Sequence, residues 1–360
     1  MPVAGERRQS IVTRESGFKR RVRARMARTG EAYSTARARL DARPAARVLN
    51  VTNGDSVAGT LREARVAGDV LPWRDVLHDG PVPAAGSPAA LRRVRAAHLA
   101  ARGWGVAAEI ERDLAARDAR LEAHADGEYV LWFEADLYDQ LQLVQVLDAL
   151  RRRGVDPARV TLVSVGEYRG IAHFGGLGEL RAEQLAQLAG EGRRLDDAAM
   201  DLAAAAWAAF TAPDPRGLAP IAAARSPELR FLGEAFARVQ QEYPSRTDGL
   251  SLTQRRILLA VAGGAATPRD AFRHVWHAER RPFLADALFD AYARELAACA
   301  APLLAVGDDR LALTGAGEEV LAGRRDHVLL NGLDRWVGGV HLAGHRTFRY
   351  DERLETLFDT

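Results

Sequence analysis

Val48-Leu49-Asn50-Val51-Thr52-Asn53-Gly54-Asp55-Ser56 sets an apolar, strand-like run directly before a small polar turn, and the same order recurs downstream. Val70-Leu71-Pro72-Trp73 precedes Arg74-Asp75 and His78-Asp79-Gly80-Pro81. Tyr129-Val130-Leu131-Trp132-Phe133 precedes Glu134, Asp136, Asp139 and Gln140, and Val160 to Val165 precede Glu167-Tyr168-Arg169. Between these runs the pattern turns helical, so strand and helix alternate from Arg47 to about Gly190, which predicts a parallel sheet. Loops leaving the carboxyl ends of parallel strands share one rim, where ligands bind. The four polar clusters are therefore expected on one rim.

Working outward, the expected fold class is α/β. A Rossmann-like or flavodoxin-like parallel-sheet domain spans 47–190, preceded by a basic helical arm over 1–46. A helical linker over 191–248 carries Trp207 and Phe210 on one face and is broken by Pro213, Pro215 and Pro220. Residues 249–360 read as a winged-helix-like α+β domain with a carboxy-terminal clasp. Its helices are expected at Leu252–Ala262, Thr267–Trp276, Asp286–Ala300 and Thr314–Ala322, and its wing strands flank Gly307-Asp308-Asp309-Arg310. The would-be reading helix has Asp286, Asp290 and Glu295 against Arg294, and the wing tip has Asp308 and Asp309 against Arg310. Phosphates repel such a surface, so the module reads as one for packing or protein interaction.

The 360 residues are 48% apolar and 27% charged, which suits a soluble globular protein with ample core. No apolar run reaches the roughly 18 residues of a membrane span. The first residues hold arginines with no apolar stretch after them, so no secretory signal is read and a cytoplasmic location is expected. Cys299 is the sole cysteine, which excludes an intrachain disulfide and any cysteine-rich metal site; its alanine-rich surroundings suggest a buried thiol. The net charge of +2 hides a segregation: residues 1–47 hold thirteen Arg or Lys against four Asp or Glu, so the rest of the chain is net negative. Phe18, Val22 and Met26, then a turn at Thr29-Gly30-Glu31 and a second helix from Tyr33 to Leu40, read as a helix–turn–helix appendage suited to phosphate-backbone contact. Alanine-rich helices serve packing within one chain or between copies, so a homo-oligomer is compatible with the sequence.

Each cluster has a chemical reading beside a structural one. Asp55 or Ser56 is placed to cap a helix, while Asn53, Gly54 and the amides that follow form a turn able to meet a phosphate. In Trp73-Arg74-Asp75-Val76-Leu77-His78-Asp79-Gly80-Pro81-Val82-Pro83, His78 suits an acid or base oriented by Asp75 or Asp79, and Arg74 an anion clamp. The same residues would also serve as an internal salt-bridge network. Asp136, Asp139 and Gln140 open a helix, where carboxylates complement the dipole. With Asp55 and Asp75 they would also make a carboxylate-rich cleft for a magnesium ion bridging phosphates, although no His-containing metal motif is present. In Asp334-Arg335-Trp336-Val337-Gly338-Gly339-Val340-His341-Leu342, Arg335 and His341 would complete the rim if the tail folds back; otherwise it is a clasp.

At these motifs the chain resembles a family of bacterial proteins built on a domain of unknown function. The resemblance lies in Asn53-Gly54-Asp55-Ser56 with Ala58-Gly59-Thr60-Leu61, the Trp73–Pro83 run, Asp136-Leu137-Tyr138-Asp139-Gln140-Leu141-Gln142-Leu143 and the Asp334–Leu342 segment, over roughly residues 47 to 350. It implies an α/β amino-terminal domain and carries over neither substrate nor catalytic residues. Two functions are weighed. The first is an enzyme or ligand-binding protein for a phosphorylated or nucleotide-like small molecule, with His78, Asp75 and Asp136 reactive and Asn53 to Ser56, Arg74, Asp139, Gln140, Arg335 and His341 binding. The second is a regulatory protein that meets nucleic acid through residues 1–46.

Overall fold

The computed structural model describes residues 22–24, 26, 32–33, 47–171 and 174–360. Met1–Arg47 and Val48–Thr360 form two compact units. The arm helices expected at 18–26 and 33–40 lie outside the described residues except at 22–24, 26 and 33, which are helical.

Strands β1 (Val48–Thr52), β2 (Asp69–Pro72), β3 (Glu128–Glu134), β4 (Val160–Val165) and β5 (Arg193–Arg194) form one sheet in the order β2-β1-β3-β4-β5. All neighbours are parallel except β5, which runs antiparallel to β4. The expected parallel sheet is thus present with one antiparallel edge. From β1 the chain passes to β2 on one side and later to β3 on the other, so the winding reverses between β1 and β3. In doubly wound sheets the carboxyl ends of the two strands at such a reversal flank the ligand crevice.

Helices α1 (Asp55–Glu63), α2 (Pro88–Ala101), α3 (Ala107–Glu122), α4 (Leu137–Arg152) and α5 (Ala182–Leu188) belong to this layer. The central strands are apolar on both faces because both are covered. Leu131 and Phe133 share a core with Leu141, Val144 and Leu147 of α4. Trp132, pointing the other way, packs with Val57 and Leu61 of α1 and Leu185 of α5. The polar Asn50 is tolerated on β1 because its amide donates to Ala67 O at 3.0 Å and its carbonyl accepts from Trp132 Nε1 at 3.0 Å.

Apart from the half-buried Tyr138, helix α4 is buried from Leu137 to Leu150, the sheet on one side and α6 (Asp197–Thr211) and α8 (Leu232–Gln240) on the other. Between these two, α7 (Leu218–Ala223) tolerates Pro220 because the first turn of a helix needs no N–H there. Next come α9 (Leu252–Ala262), α10 (Pro268–Ala278), α11 (Asp286–Ala298), the antiparallel pair β6 (Leu304–Gly307) and β7 (Arg310–Leu313), and α12 (Gly315–Leu321). Ile257, Leu258, Val275, Leu288 and Phe289 give these elements a core of their own.

The tail returns to the first core. After α13 (His327–Asn331), the hairpins β8 (Leu333–Val337)/β9 (Val340–Gly344) and β10 (Arg349–Asp351)/β11 (Thr356–Phe358) deliver Val337, Leu342, Tyr350 and Leu357 beside the α4 and α6 side chains. Gly338 turns with φ 57°, and its carbonyl accepts from Val82 N at 2.7 Å while Gly339 N donates to Phe210 O at 2.9 Å. A Cβ on Gly339 would overlap Thr211 O, so the glycine pair is what lets the hairpin press on α6. Among the described residues, no helix is long and apolar enough to cross a membrane.

Candidate functional site

The crevice between β1 and β3 brings the first and third clusters into contact. Asn53 Nδ2 donates to Asp139 Oδ1 at 2.8 Å, and Tyr138 Oη donates to Asn53 O at 3.3 Å. Neither Asp55 nor Ser56 caps α1. The N-cap is Gly54, in extended backbone with no side-chain cap, and Asp55 instead pairs at 2.5 Å with exposed Arg74 on the neighbouring loop. Gly54 holds no left-handed turn; Arg74 does, with φ 42°.

Glu134, Asp136 and Asp139 are all buried, with carboxylate oxygens within 4.8 Å of one another. Local structure explains how they gather. Asp136 is the N-cap of α4, its Oδ1 accepting from Asp139 N at 3.0 Å, and Asp139 accepts from the Glu134 amide. Glu134 Oε1 accepts from Leu177 N at 2.6 Å. Gln140 Nε2 donates to Glu134 O at 2.6 Å, leaving its own buried carbonyl oxygen without a partner. Gly176, at φ 147°, lies against Glu134, and a Cβ there would overlap the carboxylate. A void of about 10 Å3 touches Glu134, Asp136, Gly166, Gly176 and Arg281, which is room for one water-sized particle.

Burial and mutual repulsion set the electrostatics of the trio. Burial and then the Asp139 and Asp136 charges push Glu134 well above the usual carboxylate range. Burial and the Asp136 charge do the same to Asp139, and burial lifts Asp136 to about 6 although Arg281 opposes it. Among the described residues, no arginine or lysine forms an ion pair with any of the three. Such a group holds protons or a cation. No family model matches the chain, nor does any curated protein.

The second cluster is built differently, because nearly every charge in it is matched. Asp75 is buried against Arg95 of α2, whose five donors go to Asp75 Oδ1 twice, Val76 O, Asp79 O and Pro81 O. Asp79 accepts from Arg102 at 2.7 and 2.8 Å and from Tyr292 of α11 at 3.1 Å, and it bonds His98 at 2.7 Å. Although burial raises Asp79, the hydrogen bonds from His98 and Arg102 hold it far below the usual carboxylate range. The sequence motif singled out for acid–base chemistry is thus largely a buried brace. Gln142 Nε2 and Gln145 Oε1 of α4 pin it further, through Asp75 O at 2.8 Å and Trp73 Nε1 at 2.6 Å.

His78 alone in this motif has no hydrogen-bond partner. Both ring nitrogens are buried, and the ring meets Phe283 and Tyr138 edge-on at 5.1 and 5.8 Å. Desolvation outweighs the neighbouring Asp79 and Glu242 charges and lowers it to about 4, so it is neutral at pH 7. Asp75 does not approach it as an orienting partner; its carboxylate is taken by Arg95.

Arg335 and His341 do not join the rim. Arg335 donates at 3.2 Å to Glu242, which Arg238 and Thr253 also contact; against its burial these cations hold Glu242 at about 2. His341 bonds the exposed Asp334 at 2.7 Å and stacks on Trp336 at 4.6 Å. In the fourth cluster, Tyr168 meets Phe174, and the loop beyond it supplies Gly176 and Leu177 to Glu134. Sequence reasoning missed Gly176, Leu177 and Arg281; the Gly175-Gly176 pair was the one local signal. A larger cavity of about 450 Å3 lies elsewhere, lined by Trp73, Arg92, Arg117, Gln145 and Trp207, and excludes the carboxylate trio.

Proposed function

We propose that the protein binds a divalent cation on Glu134, Asp136 and Asp139 and, through it, a phosphorylated small molecule at the carboxyl-end rim of the sheet. The observation that carries this reading is the convergence, at the carboxyl end of β3 beside the β1/β3 reversal, of three buried carboxylates that no arginine or lysine pairs with among the described residues; ligands of doubly wound sheets bind at such reversals. Oxygen-only ligands favour magnesium or manganese, which bind through a few carboxylates plus phosphate oxygens. Asn53 positions Asp139, and Arg74 with Asp55 forms the exposed lip. His78, neutral and dry, would take up a proton only at considerable cost, so it supports the site through Tyr138.

The test is thermal unfolding of the full chain against sugar phosphates and nucleotides, each with and without magnesium. A ligand that binds the folded state alone raises the midpoint. The expected result is a rise needing both magnesium and one phosphorylated compound and absent in Asp139→Asn. A rise that Asp139→Asn retains, or no rise with any compound, counts against the reading.

We infer that α9, α10, α11 and the β6/β7 hairpin form a winged-helix-like module that packs in place of reading DNA. Tyr292 and Glu295 of α11 are already engaged by Asp79 and Arg102. Nucleic-acid binding, if present, belongs to the basic residues 1–46. Its mark would be steeply salt-dependent binding lost when those residues are deleted.

A further inference from the structure

Beside the trio of carboxylates lies a feature of opposite sign. A cavity of about 230 Å3 opens between the start of α4, helix α8 and the residues after α10, and Ala135 and Arg281 line both it and the void at Glu134 and Asp136. Its wall carries Arg238, Arg256, Arg280 and Arg281 against Glu234 and Glu279. The arginines are in excess, and they are not equally occupied. Arg238 is spent on Glu242, Glu279 and Thr253. Arg256 meets Glu279, yet its buried Nη1 has no well-directed hydrogen bond. Arg281 donates through Nη1 to Gly166 O, while its buried Nε lacks a partner and stands 3.7 Å from Glu234. Arg280 is exposed, 3.2 Å from Glu234.

We infer that this cavity is the anion subsite of the rim and takes a phosphoryl group of the ligand. The inference rests on the cation reading above and names the part of the ligand it leaves open. Guanidinium forks match phosphate oxygens two at a time, and the buried Arg281 Nε, which has no hydrogen-bond partner, is satisfied when such an anion enters. The volume is below the roughly 300–1,000 Å3 of pockets that enclose drug-sized ligands, so it suits one phosphate-bearing end of a molecule. A phosphoryl group there would have arginines on one side and, across the Glu134-Ala135-Asp136 turn, the carboxylate-held cation on the other. That pairing of charges neutralises both walls together.

Calorimetric titration of inorganic phosphate into the full chain, with and without manganese, tests this. The variants are Arg256→Gln, Arg280→Gln and Asp139→Asn, and manganese binding is measured separately without phosphate. Phosphate binding is expected in the wild type, tighter with manganese, and weaker by about tenfold in Arg256→Gln, the loss of one charge-assisted contact. The exposed Arg280→Gln, which leaves the fold intact, should weaken it in the same direction. Both arginine variants should bind manganese as the wild type does. Wild-type phosphate affinity in both arginine variants, or no phosphate binding beside intact manganese binding, overturns the subsite and leaves the cation reading standing. Phosphate binding that falls in Arg256→Gln while manganese never binds supports the subsite and removes the cation.

Discussion

The His78–Asp79 turn and the Glu134–Asp139 turn both follow strand ends and bury acidic groups, but among the described residues only the first has them paired with arginines. Asp75 has Arg95, and Asp79 has Arg102 and His98. Glu134, Asp136 and Asp139 have amide donors and each other, and a water-sized void borders Glu134 and Asp136. Matched charge is architecture, since its partners already satisfy it and it gains little from a ligand. Unmatched charge stores a demand that a proton or metal ion meets. The difference separates a brace from a site where residue types alone would have ranked the brace first.

The sharpest way to break the comparison is to unmatch the brace. Arg95→Ala strands the buried Asp75 and deprives Val76, Asp79 and Pro81 carbonyls of their donor, so a loss of about 3–5 kcal/mol is expected in urea unfolding. A loss under 1 kcal/mol would show that the pair is not the support described.

The two regions should also titrate with opposite sign. In the trio the folded-state pKa is raised, so the stability contributed is fully present at acid pH and lost as pH rises; for Asp136, lifted to about 6, the loss runs from about 4 through 6 and is on the order of 2–3 kcal/mol. For His78 the folded-state value is depressed to about 4, so folding is disfavoured as pH falls from 6.5 toward 4 and recovers as it rises. Stability measured from pH 4 to 8 in Asp136→Asn should therefore lose part of the alkaline decline. His78→Phe should lose part of the acid one. Parallel curves for wild type and both variants would contradict the assignment of charge states.

A smaller effect is expected at the contact that shapes the trio. Gly176→Ala forces a side chain against Glu134 at a backbone angle that disfavours one, which should cost about 1–3 kcal/mol and weaken manganese binding. Unchanged metal binding would mean the Gly176 contact is incidental. Least is expected of Arg74→Ala. Its pair with Asp55 is exposed, and such pairs contribute about 0.2–1 kcal/mol. A larger change in the thermal midpoint would show the lip to be part of the framework.

Much of this was legible locally. Apolar runs ending in polar turns are short-range signals, and they marked β1, β2, β3 and β4. Gln142 and Gln145 also stand in the sequence of α4, although their purpose, pinning the Trp73 and Asp75 loop, needs the packing to be seen. Two things were not legible. Asn53 and Asp139 meet because the winding reverses between β1 and β3, a property of strand order that no local pattern encodes. The brace around Asp75 and Asp79 needed Arg95, His98 and Arg102 on one face of α2; their three- and four-residue spacing is visible in the sequence, but nothing local says which loop they face.

The central claim is tested most directly by counting manganese ions. Electron paramagnetic resonance of free manganese, titrated with the full chain at pH 7.5, should report one bound ion per wild-type chain and none in the Asp136→Asn, Asp139→Asn double variant, with both folded by circular dichroism. A wild-type chain that binds no manganese, or a double variant that binds as the wild type does, would contradict it and leave the three carboxyls as a buried cluster that keeps its protons.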